Sequence, residues 1–150
     1  MNHRGRVWHI FDAKNEVLGR LSAKIASTLI GKHKAGYEPS EDIGDYCVVI
    51  NAKDIEVTGR KEEQKVYHRH TQWPGGLIST PYKDMEKIRI IEIAVRGMIP
   101  RNMLREQRYK RLRVFSDDKH PYSGNIMKID FDFIESENLK NINLVKSLLQ

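Results

Sequence analysis

Leu18, Leu21, Ile25 and Leu29 share one stripe of a helix, with Arg20, Lys24 and Ser27 opposite, and this spacing predicts an amphipathic helix over Leu18–Ile30. Gly31 follows where a helix ends, and Lys32-His33-Lys34 place positive charge at the negative pole of its dipole. With Arg20 and Lys24 behind them, these residues form an edge suited to phosphate. Val7–Asp12 reads as a short first strand. Tyr46–Asn51 is a continuous apolar run of strand length, the pattern of a strand covered on both faces. Ile55–Thr58 and Lys65–Thr71 read as further strands, with Gly59-Arg60-Lys61 in the turn between them. Trp73-Pro74-Gly75-Gly76 marks a loop, and Thr80 followed by Pro81 reads as a helix start.

A second helix is predicted over Ile88–Met98, with Ile88, Ile91, Val95 and Met98 inward and Arg89, Glu92 and Arg96 outward. Gly97 in it permits a close backbone approach. Pro100 sits where a third helix can begin, and a helix over Arg101–Leu112 would put Arg101, Arg105 and Arg108 on one face. Val114-Phe115 reads as a last short strand. Leu139–Leu149 reads as a small helix whose docking face is Leu144, Val145, Leu148 and Leu149. Strand, helix, strand, hairpin and helices in this order predict an α/β fold with a small, largely parallel sheet between helices. The strand order within the sheet is not legible.

Charge changes the picture most. Arg96, Arg101, Arg105, Arg108, Lys110, Arg111 and Arg113 face a single acid, Glu106, over residues 96–115. Met103, Leu104 and Leu112 form no broad apolar stripe there. Like charges at helical spacing repel, so this segment is expected to lie against a polyanion, and nucleic acid is the natural one. The net charge is +6 and the pI about 9.4. Residues 121–150 hold three lysines and four acids, so the positive field belongs to the body of the chain. The 150 residues suit one domain, and an apolar fraction of 39% with 31% charged predicts a modest core under a charged surface. Cys47 is the only cysteine, which excludes an intrachain disulfide, fits a reducing compartment and reads as a small core residue. No apolar run approaches the roughly 18 residues needed to cross a membrane. No secretory leader is visible at Met1–Arg6.

Candidate chemistry is sparse. Gly31-Lys32-His33 lacks the spaced glycine and the Ser or Thr of a phosphate-binding loop, and no G-x-G-x-x-G occurs. His68 and His70 share one face of a strand without a further ligand at metal spacing, so they read as phosphate or base contacts. Asp42 and Asp45, beside Gly44, read as turn-forming residues rather than acid–base partners. Ser40 lacks a nucleophile context. No catalysis, cofactor, metal, membrane or small-molecule substrate is expected. Tyr37, Trp73 and Tyr109 lie near basic residues and are weighed as base-stacking groups, with packing inside the protein the favoured role.

Several ordered motifs then carry a resemblance. They are Leu18-Gly19-Arg20-Leu21, Gly31-Lys32-His33-Lys34, Gly44-Asp45-Tyr46, Asn51-Ala52, Val57-Thr58-Gly59-Arg60-Lys61, Lys65-Val66-Tyr67, His70-Thr71, Pro74-Gly75-Gly76 and Val95-Arg96-Gly97-Met98-Ile99-Pro100. From about Trp8 to Tyr122 the chain resembles the ribosomal protein L13 (uL13) family of the large subunit. The resemblance implies a three-layer α/β/α domain over residues 1–122, a C-terminal extension over 123–150, and a structural, non-catalytic role on large-subunit rRNA. The candidate RNA contacts are Arg20, Lys32, His33, Lys34, Arg60, Lys61, His68, His70, Arg96, Arg101, Arg105 and Arg108, with Lys110, Arg111 and Arg113 added from the basic stretch. The acidic, partly apolar tail is expected to contact neighbouring ribosomal proteins. Bacterial members typically show Pro-Lys-Gly-x-Leu-Gly where this chain has Pro100-Arg101-Asn102-Met103-Leu104-Arg105. That departure, with the extension, points to a mitochondrial large subunit; bacterial cytoplasm or a plastid is the alternative. Two other classes stand against this reading. An RNA-modifying or nucleotide-using enzyme would need a cofactor loop or convergent titratable groups. A free nucleic-acid-binding regulator would leave ribosomes readily.

Overall fold

The computed structural model describes residues 5–125 and the backbone of residues 128–129. Helix α1 spans Leu18–Ile30 and buries Leu18, Leu21, Ile25 and Leu29, as its stripe predicts. Gly31 ends it at φ 89°, a left-handed conformation that glycine adopts without steric cost. There Gly31 N–H donates to the Ser27 and Thr28 carbonyls and Lys32 N–H donates to Ser27 at 3.0 Å, which satisfies the last turn.

Among the described residues four parallel strands form the main sheet: β1 (Trp8–Asp12), β2 (Tyr46–Ile50), β5 (Leu112–Val114) and β6 (Lys128–Ile129), in the order β5-β2-β1-β6. The register sets Trp8 beside Tyr46, Ile10 beside Val48 and Cys47 beside Leu112. Side chains alternate between the faces of a strand. His9, Phe11, Cys47, Val49, Leu112 and Val114 therefore point to one side, where α1 and α3 (Lys87–Met98) pack together. The core lies there, built from Leu21, Ile25, Leu29, Ile90, Ile91, Val95 and Ile99 against Phe11, Cys47 and Val49. On the other side Trp8 stacks on Tyr46 at 4.4 Å and on Tyr122 at 5.0 Å, so the chain after β5 supplies the third layer. The α/β class and the small, mostly parallel sheet are as expected. Strand β6 comes from within the predicted extension, and the predicted helix Leu139–Leu149 lies outside the described residues.

Between β2 and α3 the chain leaves the main sheet. A short helix α2 (Lys61–Gln64) precedes an antiparallel hairpin of β3 (Val66–His70) and β4 (Leu77–Pro81). This corrects two expectations. Thr80-Pro81 starts no α-helix: Pro81 is the extended last residue of β4 (φ −65°, ψ 154°) and precedes only a single 3-10 turn, Tyr82–Asp84. Ile55–Thr58 forms no strand and makes a single bridge from Glu56 to Val17. In α3, Ile90 and Ile91 are buried while Met98 is 43% exposed, and Ile99 beyond the helix takes the inward place.

The basic stretch differs most. Helix α4 covers only Arg105–Tyr109, not Arg101–Leu112. Asn102 N–H closes a turn on the Pro100 carbonyl and Arg105 N–H closes another on the Asn102 carbonyl, so local backbone turns occupy this stretch before α4 begins. At the far end, Cys47 N–H donates to the Arg111 carbonyl at 3.1 Å, and β5 begins at Leu112. Sheet pairing ends the helix before the periodicity would.

Gly44 lies under the end of α1, where a Cβ would stand 1.8 Å from the Leu29 carbonyl oxygen. Around Gly97 in α3, a Cβ would meet nothing within 4 Å, so no close approach occurs within this chain. Gly44→Ala should therefore lower stability in urea by about 1–3 kcal/mol. Gly97→Ala should raise it by about 0.5–1 kcal/mol, because alanine is the better helix residue. Equal urea midpoints for the two variants would contradict this packing.

Candidate nucleic-acid interface

Two carboxylates divide the basic residues into an inner and an outer set. Asp42 sits in the loop before β2 and accepts two hydrogen bonds from Arg111, each 2.6 Å. Arg6 donates to the same carboxylate at 3.2 Å, and the Arg108 Nε lies 3.6 Å from it. Arg108 also donates to the Glu41 carbonyl at 2.9 Å, and Arg111 to Leu29 at 3.1 Å. Arg108 is 1% exposed and Arg111 4%. Asp45, three residues on, is buried. Its Oδ1 takes Lys34 at 2.5 Å and the Val7 N–H at 3.0 Å. Its Oδ2 faces the Nε2 atoms of His33 at 3.0 Å and His9 at 3.2 Å.

Both carboxyls are held in the charged form. Burial opposes ionisation of Asp42, but the hydrogen bonds and charge of Arg111, with Arg6 and Arg108, outweigh it and lower its pKa. Burial likewise opposes Asp45, and Lys34, the Val7 N–H and His9 outweigh it. The turn-forming role expected for Asp42 and Asp45 is thereby corrected: they anchor the loop by charge. His9, His33 and Asp45 are also the ligand-type residues that the structure brings together, with donor atoms within 4.8 Å of one another. His9 carried no signal in the sequence, because its position on β1 reads simply as a strand residue.

The predicted contacts fall into two groups. Lys34, Arg108 and Arg111 turn inward to acids or carbonyls, and His33 leans on Asp45. Buried arginines bound to a carboxylate cannot also lie on an external phosphate, so Arg108 and Arg111 serve the fold. Arg20, Lys32, Arg60, Lys61, His68, His70, Arg96, Arg101, Lys110 and Arg113 are exposed. Of these, Arg96 pairs with Glu106 at 2.8 Å and lies 5.7 Å above the Tyr109 ring. Arg105 reaches the Arg96 carbonyl, so Arg101, Arg105 and Arg108 do not form one face. Arg89, Glu92, Ile93, Arg96, Gly97, Arg105 and Tyr109 line a groove of about 280 Å³ between α3 and α4, where Arg89 pairs with Glu92 at 2.9 Å.

The hairpin adds a basic residue that the sequence reading passed over. Arg69 stands between His68 and His70 on β3 and is exposed. Its signal was the two-residue alternation itself, which sends it to the opposite face. The His68 Nδ1 pairs with Ser79 Oγ at 2.9 Å, and the Gln72 N–H donates to His70 Nδ1 at 2.9 Å. Nδ1 of His70 is thus an acceptor, leaving Nε2–H to donate outward. Tyr109 is half-buried, and burial raises its pKa. Trp73 is 76% exposed, which corrects its expected packing role.

A carboxyl whose folded pKa lies below its unfolded value adds stability above the unfolded value and loses it as pH falls through the folded one. Asp42 and Asp45, lowered from 3.8, should make the protein lose stability below about pH 4. Asp42→Asn should cost about 3–5 kcal/mol at neutral pH, because it strands buried guanidiniums. It should also flatten the acid limb of a stability–pH curve measured in urea. A loss of less than about 1 kcal/mol would show that the Asp42 carboxylate is not what holds the buried guanidiniums.

The sequence profile of ribosomal protein L13 matches residues 6–121. The protein named large ribosomal subunit protein uL13 in Herpetosiphon aurantiacus is 47% identical over 127 residues, covering 83% of this chain and 88% of the relative. Its namesake in Buchnera aphidicola is 49% identical over the same coverage, and that in Legionella pneumophila 46% identical over 126 residues, covering 82% and 88%. With a profile match and relatives of this identity along most of its length, the chain belongs to the ribosomal protein L13 family.

Proposed function

We propose that this protein is a structural, non-catalytic constituent of the large ribosomal subunit that binds and stabilises rRNA and so supports translation. Its near full-length identity to large-subunit proteins carries the reading. The outer basic set supplies the physics. Arg20, Lys32, Arg60, Lys61, Arg69, Arg101, Lys110 and Arg113 present charge to solvent on the helices and their flanking turns, the hairpin, the α3–α4 connection and β5. Duplex RNA offers phosphates, 2′-hydroxyls and shape, so these residues act on the backbone rather than on base edges. Arginine suits the task because its planar fork engages phosphate at two points.

Residues 1–122 form the L13-like, rRNA-bound domain in this reading, and residues 123–150 an extension that touches neighbouring ribosomal proteins. The relatives are bacterial. That fits a bacterial cytoplasmic ribosome at least as well as the mitochondrial address suggested by Arg101-Asn102 and the extension.

Replacing Arg101, Lys110 and Arg113 with Gln should leave the fold intact, weaken rRNA binding and reduce the slope of log affinity against log salt by about 2–3. An unchanged slope would remove these residues from the contact surface. Tagged protein should co-sediment with the large subunit through a high-salt wash. Sedimentation as free protein would favour the regulator. Recovery of that complex from the organelle or the cytosol decides the address.

A further inference from the structure

We propose that Trp73 is a stacking platform for one unpaired nucleotide of rRNA, held out by the tip of the β3–β4 hairpin. This rests on the rRNA-binding reading above and goes beyond it in naming the contact and the RNA state it selects.

The two tryptophans of the chain have opposite surroundings. Trp8 lies in a stack with Tyr46 and Tyr122, whereas Trp73 is 76% exposed. A large ring left in water is a poor choice for stability and a good one for recognition. The tip also fixes it. Gly76 N–H donates to the Trp73 carbonyl at 2.9 Å, closing a turn with Pro74 and then Gly75 at φ 73°. Proline followed by a positive-φ glycine is the pattern of a type II turn. Thr71 N–H donates to the Gly76 carbonyl at 2.9 Å, and a Cβ on Gly76 would lie 2.0 Å from Thr71 Oγ1. The backbone that carries the ring is therefore ordered before a partner arrives, which reduces the entropy lost on binding.

Charge selects the partner. From Val66 to Pro81 the hairpin holds no Asp or Glu, and Arg69 and His70 stand on the strand that leads to the tip; Lys65 and Lys83 lie at its base, where Glu62, Glu63 and Asp84 also stand. An exposed ring at the end of a ribbon that carries Arg69 and no acid matches a base with a flanking phosphate. Leu77 and Ile78 on β4 are exposed as well and would suit a protein neighbour, but the absence of acids favours RNA. The bases of a duplex are already stacked, so the ring selects a nucleotide in a loop, bulge or end.

The test uses the full chain carrying Trp8→Phe, which keeps an aromatic ring in the internal stack and leaves Trp73 as the only indole. A large-subunit rRNA transcript is titrated, with Trp73 emission and affinity read together. Binding should quench the emission. Trp73→Ala should weaken binding about 10-fold or more without changing the salt slope or the urea midpoint, and Trp73→Phe should restore most of the affinity. Binding with unchanged emission and an alanine variant within twofold would overturn the proposal while sparing the rRNA-binding reading. Emission that changes only in the assembled subunit, and not on naked rRNA, would assign the tip to a protein neighbour and overturn it too. Failure of every variant to bind rRNA would instead refute the function proposed above.

Discussion

A guanidinium taken out of water must meet a carboxylate, and that requirement at Arg111 organises the molecule. Asp42 meets it with two 2.6 Å hydrogen bonds, and Arg6 and Arg108 join the same carboxylate. This joins the N-terminus, the loop before β2 and the segment before β5, which are far apart in the chain. Gly44 completes the contact because only hydrogen fits under the Leu29 carbonyl. Asp45 repeats the device, drawing the turn after α1 onto β1 through Lys34, His33 and His9. The core then needs only short elements, since charge fixes the loops that frame them.

Such pairing gives the positive charge two functions. Part of it neutralises buried acids and contributes nothing to an external field. The rest stands on the outer face of α1 and the turn after it, on α2, the hairpin, the α3–α4 connection, the end of α4 and the outward position of β5. The hairpin illustrates the second class. Both its strands leave the main sheet, and most of its residues are exposed. A two-stranded ribbon of this kind has little stability of its own, and its anchor is the return to Tyr82, whose N–H donates to the Lys65 carbonyl at 2.9 Å and whose ring is buried.

The elements that sequence made legible are those governed by local periodicity. Helix α1 matched its predicted bounds because four apolar residues and Gly31 are sufficient to specify it, and β2 was visible as an apolar run. The division of the arginines was not legible. Asp42 and Arg111 are 69 residues apart, and nothing in either neighbourhood marks the other. Helical spacing put Arg101, Arg105 and Arg108 together because it ranks only neighbours three and four apart; the backbone turns at Asn102 and the start of β5 overrode it. Strand β4 was hidden because Thr80-Pro81 fits a helix start as well as a strand end. The family resemblance identified the ordered motifs but could not separate Arg108 and Arg111 from the residues that face outward.

The same clamp bears on how the chain acquires its structure during synthesis. Central strand β2 has β1 on one side and β5 on the other, and both pairings are parallel. Parallel neighbours require long crossovers, and the entropy of closing them comes before the contacts that compensate. Asp42 and the turn before β2 are made early, yet their guanidinium partners at residues 108 and 111 emerge only after most of this domain has left the peptide exit. Until then Asp42 has only Arg6 of its three guanidinium partners, and one edge of β2 has no strand beside it. The N-terminal half therefore cannot reach its final form alone: the segment around Arg111 supplies the missing partner of both Asp42 and β2.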